Sequence, residues 1–292
     1  MNGIRAAVID IGSNSIRYFN ATVTPQGVAA FAPKRLITTR LAEGLLNTGC
    51  LQEAAIERSI AAITQFCALA AEQGAQAIYA YATSAVRDAK NRMAFVERVR
   101  KHSNIEVEVL SGEEEARLAF LGATGQIGGG LIDIGGGSAQ VITPLYAHSF
   151  PIGCVRAKEL CEGFTQEDIP NAVESWLHRT IENTLAGIGE QRWTGVGGTI
   201  TTLGALHAGL TAYDSRRVNR ETLTQEGVLS LYNSLLTMGD TRRQHPLLTD
   251  RHDIILFGAL ILYGLMVRLD IGTLQVSDAD GMEGYLMDRV LR

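Results

Sequence analysis

An internal repeat constrains the fold of this chain more than any other feature. Asp10-Ile11-Gly12-Ser13-Asn14-Ser15 is matched by Asp133-Ile134-Gly135-Gly136-Gly137-Ser138, 123 residues later. Each copy closes a short apolar run (residues 6–11 and 131–134) and leads through a glycine turn into a second strand-like run, 16–23 and 140–142. A repeat at nearly half the length of a 292-residue chain predicts two similar α/β domains, 1–125 and 126–292, whose glycine turns line one inter-domain cleft. Glycine-rich residues 125–130 serve as the join.

The first half reads β-β-β-α-β-α-β-α. Its third strand spans 28–38, and a helix over 51–74 ends at Gly74. A strand at 77–82, a helix at 93–101, a strand at 105–110 and a helix from Ser111 follow. The second half has helices near 153–163 and 168–188, and a strand at 193–196 that runs into a third glycine turn and a helix. The remainder is mostly helical, with 253–269 apolar enough for core or a dimer contact. A strand at 273–276 and a closing helix near 282–292, a candidate to pack back on the first domain, end the chain.

Composition narrows the function. With 46% hydrophobic and 20% charged residues the chain is a folding one, and a net charge of −5 offers no attractive field to nucleic acid or an anionic membrane. Any polyanion must therefore be met by local basic groups and backbone amides. No apolar run approaches the ~20 residues of a bilayer span, and the start runs straight into a strand and not a secretory leader. Cys50, Cys67, Cys154 and Cys161 form no CxxC pair and read as reduced thiols of a cytoplasmic protein. The six histidines are scattered and are assigned no chemistry.

The turns suit phosphate. Glycine lets a ligand approach the backbone and permits positive φ, so that successive N–H groups converge on an anion. Gly12, Asn14, Gly135, Gly136, Gly137, Gly197 and Gly198 are the candidate backbone contacts, and Ser13, Ser15, Ser138 and Thr199 add hydroxyls. The third turn, 195–199, leads into a helix whose N-terminus adds partial positive charge. Asp10 and Asp133 would repel bare phosphate, and make sense where Mg2+ (or Mn2+) links them to phosphate oxygens.

These segments resemble the Ppx/GppA phosphatases, the exopolyphosphatases and guanosine pentaphosphate phosphohydrolases. The resemblance is carried by DIGSNSIR (10–17), ATSAVRDAKN (82–91), SGEEEARL (111–118), DIGGGSAQ (133–140), FPIGCVR (150–156), VGGTITTL (196–203) and VSDADGMEG (276–284), in order along nearly the whole chain. It implies the duplicated actin-like (RNase H-like) fold, in the short form without the C-terminal helical extension of larger relatives, hence less processive action on long chains. It also implies hydrolysis of a terminal phosphoanhydride, in inorganic polyphosphate first and guanosine pentaphosphate next, with polyphosphate or a guanosine penta- or tetraphosphate as ligand.

At the helix from Ser111, Ser111 and Glu114 have capping-box spacing, and Glu113 suits the first turn and an i+4 pair with Arg117. Glu115 remains, beside apolar Leu118 and Ala119, pointing inward; a partly desolvated carboxylate there is suited to taking a proton from water. The resemblance assigns that glutamate as the catalytic base and places Arg17 and Arg87 on phosphate, with Arg156 the weaker candidate. One departure stands out: the family's second turn ends in Ser-Thr-Glu, whose glutamate helps hold the metal, where this chain has Ser138-Ala139-Gln140. Gln140 brings no charge to a metal. Two rival readings share the fold: a kinase or ATPase, and a non-catalytic sensor of polyphosphate or an alarmone.

Overall fold

A computed structural model of the chain describes residues 3–124, 129–181 and 192–291. Two compact units emerge. The first comprises Met1–Gly125 with Ala279–Arg292, and the second Gln126–Asp278. The join expected at 125–130 lies largely outside the described residues, as does the part of the 168–188 helix beyond Ile181.

The first unit contains β1 (Ile4–Ile11), β2 (Ser15–Thr24), β3 (Gly27–Phe31), β4 (Arg35–Thr38), α1 (Leu45–Thr48), α2 (Glu53–Glu72), β5 (Ala77–Ala82), α3 (Ser84–Asp88), α4 (Arg92–Ser103), β6 (Val107–Val109) and α5 (Gly112–Thr124). The second contains β7 (Gly130–Ile134), β8 (Ala139–Thr143), β9 (Tyr146–Phe150), α6 (Cys154–Leu160), α7 (Ile169–Ile181), β10 (Trp193–Val196), α8 (Gly197–His207), α9 (Ser215–Val218), β11 (Thr222–Thr224), α10 (Gln225–Met238), α11 (Ile255–Arg268) and β12 (Thr273–Val276). The closing helix α12 (Gly281–Val290) belongs to the first unit.

The repeat in sequence is a repeat in topology. The first sheet runs β3-β2-β1-β5-β6, with β4 paired to β2. The second runs β9-β8-β7-β10-β12, with β11 added at the β12 edge. In both, the strand ending in Asp-Ile-Gly is central, antiparallel to the hairpin strand on one side and parallel to a later strand on the other. A central strand is covered on both faces, which is why β1 reads as a continuous apolar run and is buried from Ala6 to Ile11.

The structure corrects or sharpens four sequence expectations. The strand expected at 28–38 is two strands, because Pro33 between them has no N–H to donate to a ladder. The strand β10 passes directly into α8, whose first residue, Gly197, has a positive φ, so the glycine turn and the helix start coincide. The closing helix, the candidate to pack back on the first domain, is grouped with the first unit, where α12 crosses α5 at backbone contact. A Cβ on Gly122 would lie 1.8 Å from the Asp280 carbonyl oxygen, and one on Gly284 would lie 1.9 Å from that of Leu118. Finally, α2 is long and apolar enough by composition to span a bilayer, which run length alone missed because charged residues interrupt it. In the fold its Ile56, Ile60, Ile63 and Phe66 face is buried in the first unit. In the second unit α11 is core, with Ile255, Ala259, Ile261, Leu262 and Leu265 buried.

Candidate active site

In the first unit the end of β1 delivers Asp10 into a buried, charged cluster. The hairpin register places Arg17 of β2 directly opposite Asp10, and the parallel register places Tyr81 of β5 on its other side. Arg17 donates from Nε to Asp10 Oδ2 at 2.9 Å and a second time from Nη2, while its Nη1 donates to Asp280 Oδ2 at 2.5 Å. Asp10 Oδ1 is buried with no hydrogen-bond partner. Burial pushes the Asp10 carboxyl above its ordinary range; Arg17 opposes that, Asp280 adds to it, and the nearby Tyr81 hydroxyl favours ionisation. Burial, with Asp10 beside it, likewise pushes the Tyr81 phenol up.

Glu115 enters from the first turn of α5. The capping box read from sequence is formed: Ser111 Oγ accepts from the Glu114 amide at 3.1 Å, and Glu114 Oε2 accepts from the Ser111 amide at 3.1 Å. Arg117 pairs not with Glu113 but with Asp288 of α12 at 3.0 Å, because α12 packs along that face of α5. Glu115, the residue left over, has its side chain only 16% exposed, and its Oε2 accepts from Arg87 Nη1 at 3.0 Å. The same Arg87 nitrogen donates to the Leu110 carbonyl at 3.0 Å, so the arginine is anchored to the strand that leads into α5. Burial outweighs Arg87 and, with the charges of Asp10 and Asp88, raises the Glu115 carboxyl to about 7. A carboxylate poised near neutrality is matched to general-base work.

The first glycine turn is tied into this cluster. Gly12 N donates to the Ser15 carbonyl at 3.2 Å, Ser13 Oγ meets Ser84 Oγ at 3.0 Å, and Asn14 Nδ2 donates to Ser15 Oγ at 3.1 Å. The amides of Thr39 and Arg40 donate to the Asn14 carbonyl, and that of Ala42 to the Ser13 carbonyl. The Ser13 and Asn14 carbonyls are thereby occupied.

The second unit repeats the layout with other chemistry. Gly135 N donates to Ser138 O at 2.9 Å, as in the first turn, and the register sets Gln140 opposite Asp133 where Arg17 stands opposite Asp10. Gln140 is buried, and its Nε2 donates to Ser138 Oγ and Ser149 Oγ, both at 3.0 Å. On the parallel side Asp133 faces Val196. Gly197 begins α8 at φ +84, and a Cβ there would lie 2.1 Å from Asp133 Oδ1, so the carboxylate occupies space that only glycine leaves at the helix N-terminus. Gly136 and Gly137 carry Val155 N at 2.8 Å and Arg156 Nε at 2.6 Å on their carbonyls, and Arg251 donates to the Gly198 carbonyl and to Thr202 Oγ1. Thr199 donates to Cys154 Sγ at 3.8 Å. All four cysteines are free thiols.

Within the first unit, then, the structure brings together Asp10, Gly12, Ser13, Asn14, Ser15, Arg17, Arg87 and Glu115. Within the second it brings together Asp133, the 135–138 turn, Gln140, Gly197, Gly198 and Thr199. The sequence reading missed Tyr81, Lys34, Asp280 and Glu283. The last two had a signal, since Asp-x-x-Glu is capping-box spacing inside a segment already singled out. Lys34 and Tyr81 had none, because strand pairing places Tyr81 beside Asp10 and only the distant start of α12 gives Lys34 its carboxylate partners.

Asp10 and Asp133 offer carboxylate oxygens, the donor type a hard divalent cation takes, and Asp10 Oδ1 is buried without a hydrogen-bond partner, whereas Gln140 offers an amide. Among the described residues no three His, Cys, Asp or Glu side chains form a cage.

Known proteins resemble this chain along nearly its whole length. Residues 27–292 match the sequence model of the Ppx/GppA phosphatase family. Exopolyphosphatase 2 of Mycobacterium tuberculosis is 32% identical, over 97% of this chain and 98% of that protein. Exopolyphosphatase 1 of Mycobacterium bovis is 28% identical, over 98% of this chain and 88% of its own. The crystal structure of the Aquifex aeolicus Ppx/GppA family member superposes with a TM-score of 0.77 at 30% identity, covering 99% of this chain and 98% of that one.

Proposed function

Since this chain belongs to the Ppx/GppA phosphatase family, we propose that it hydrolyses the terminal phosphoanhydride of inorganic polyphosphate, with Glu115 as general base. The observation that carries this reading is the placement of Glu115: mostly buried, held by Arg87 at 3.0 Å, and raised to about 7. The exopolyphosphatase names of the relatives favour polyphosphate over guanosine pentaphosphate.

In this mechanism the chain's own groups bind, orient and move one proton. The hydroxyls of Ser13 and Ser15 and the amides of the first turn contact the terminal phosphoryl oxygens, and Arg87 stabilises charge developing on them. Glu115 takes the proton from the attacking water as its oxygen bonds to phosphorus and the bridging oxygen departs with the shortened chain. In the second unit, the 135–138 turn and the N-terminus of α8 are the phosphate-binding elements. Asp10 in the first unit and Asp133 in the second are each candidates to hold magnesium, which would neutralise phosphate charge.

Phosphate release from polyphosphates of defined length, beside guanosine pentaphosphate and with magnesium titrated, tests the reading. Release from polyphosphate with higher kcat/KM is expected. Faster release from guanosine pentaphosphate would overturn the substrate assignment, and binding of polyphosphate without release from either would make the protein a sensor.

A further inference from the structure

The loop into α12 holds a charged assembly that the reaction as described does not use. Asp280 is 3% exposed and caps α12: its Oδ1 accepts from Met282 N at 2.9 Å, and its own amide donates to Glu283 Oε2 at 2.9 Å. Its other oxygen, Oδ2, accepts from Arg17 Nη1 at 2.5 Å and lies 3.4 Å from Lys34 Nζ, which also pairs with Glu283 at 3.0 Å. A helix cap needs no charge, since Asn and Ser serve as well as Asp. Two cations on the second oxygen are a separate feature.

The consequence falls on Asp10. A guanidinium fork matches a carboxylate bidentately, with its parallel N–H groups meeting both oxygens. Here Arg17 does not do that. Its Nε and Nη2 both go to Asp10 Oδ2, its Nη1 is turned away to Asp280, and Asp10 Oδ1 remains buried without a hydrogen-bond partner. Burial opposes ionisation of Asp280, but Arg17, Lys34 and the Met282 amide hold its carboxyl well below the usual range, so the anchor stays charged at neutral pH. The anchor is also rigid, because Gly122 and Gly284 let α5 and α12 meet at backbone distance beside it.

We propose that Asp280 is a positioning residue for the phosphatase reaction: by holding Arg17 through Nη1 it confines the guanidinium to one oxygen of Asp10 and keeps the other oxygen available to the cation that accompanies the substrate. The inference rests on the reading of Asp10 as part of the active site, and Asp280 acts only through Arg17.

The test is a double-mutant cycle on kcat under single-turnover conditions, which read rates far below wild type. Asp280→Asn keeps the cap and removes the charge. It is expected to lower kcat by about tenfold, the scale of one charge-assisted hydrogen bond, with KM for polyphosphate changed less. In an Arg17→Met background the same substitution changes kcat by less than about twofold, because the residue it acts through is gone. Without substrate, the magnesium concentration that half-saturates the thermal stabilisation of the protein is expected to rise about tenfold in Asp280→Asn, again one such bond. Asp280→Glu, which keeps the charge, recovers part of both. A loss of equal size in both backgrounds, or kcat and magnesium response within twofold of wild type, overturns the proposal. Asp280→Ser, also a good cap, repeats the cycle should the Asn variant not fold. Wild-type protein that releases no phosphate refutes the phosphatase reading itself, while active wild type with an unaffected Asp280→Asn refutes this inference alone.

Discussion

The two units share a strand order, a central Asp-Ile-Gly strand and the same turn, yet differ in what stands beside the aspartate. In the first, Asp10 has Arg17 and Tyr81 on the flanking strands, with Glu115 and Arg87 nearby. In the second, Asp133 has Gln140 and Val196 in the equivalent register positions. Backbone geometry was duplicated and chemistry was not. The first unit carries ionisable groups whose protonation the fold adjusts. The second offers amides, hydroxyls and a helix N-terminus, groups that bind an anion without titrating.

If proton transfer belongs to the first unit alone, removing its base should give the largest effect. Glu115→Gln keeps the shape and a hydrogen-bonding partner for Arg87 but cannot accept a proton. A fall in kcat of ~10²-fold or more is expected, with KM for polyphosphate little changed. Phosphate-release kinetics decide it, and near-normal turnover would move the base elsewhere.

The next test belongs to the second unit and concerns shape. Gly197 holds φ +84, and a Cβ there would sit 2.1 Å from Asp133 Oδ1. Gly197→Ala is expected to cost ~1–3 kcal/mol of stability from backbone strain, with a further loss of activity as Asp133 is displaced. At the first glycine turn, Gly12 has no positive φ, and its added Cβ would meet the Ser15 carbonyl oxygen at 2.9 Å. Urea unfolding of the two alanine variants should therefore show the larger loss at 197. Equal losses would mean that the positive φ at Gly197 adds no strain.

How much of this was legible in the sequence differs between the units for the same reason. The repeat revealed both turns, and helical spacing singled out Glu115 because its neighbours Leu118 and Ala119 are apolar; both are buried. What stayed hidden is whatever depends on strand register or on a distant segment. Arg17 reads as a cation free for phosphate until the hairpin sets it against Asp10, and until α12 returns 263 residues later with Asp280. The return of α12 is written in Gly122 and Gly284, but a glycine in a helix declares a close approach only once its partner is known. The merging of the third glycine turn with the start of α8 stayed hidden for a related cause, since Gly197 has a positive φ and already opens the helix.

A pH profile sharpens the comparison further. With Glu115 raised to about 7 by burial, the working, ionised base is lost as pH falls below that value, so kcat/KM should rise with pH to a plateau above about 7. Arg87 opposes the burial effect by favouring the carboxylate. Arg87→Met is therefore expected to move the rising limb to higher pH, beyond any loss in maximal rate. A limb that stays in place would show that a different group titrates. Substitutions at Gln140 or Ser138 should leave the limb where it is.

The smallest effect is expected at Gln140, where the second unit can be made to resemble a charged site. Its amide donates to Ser138 and Ser149 hydroxyls, and since hydroxyls can reverse to donate, Gln140→Glu keeps both contacts. The new carboxylate would be buried opposite Asp133, and burial beside a like charge raises its pKa. Such a group destabilises the fold as pH rises above its unfolded value of roughly 4.3. In chelator at pH 8, the variant should melt ~2–4 °C lower than wild type, the shift expected for about 1 kcal/mol in a domain of this size. Saturating magnesium should return most of that loss, because a dication between two carboxylates removes the repulsion that causes it. A variant that melts lower to the same extent with and without magnesium would show that the cation does not reach Asp133, and the metal assignment would then narrow to Asp10 in the first unit.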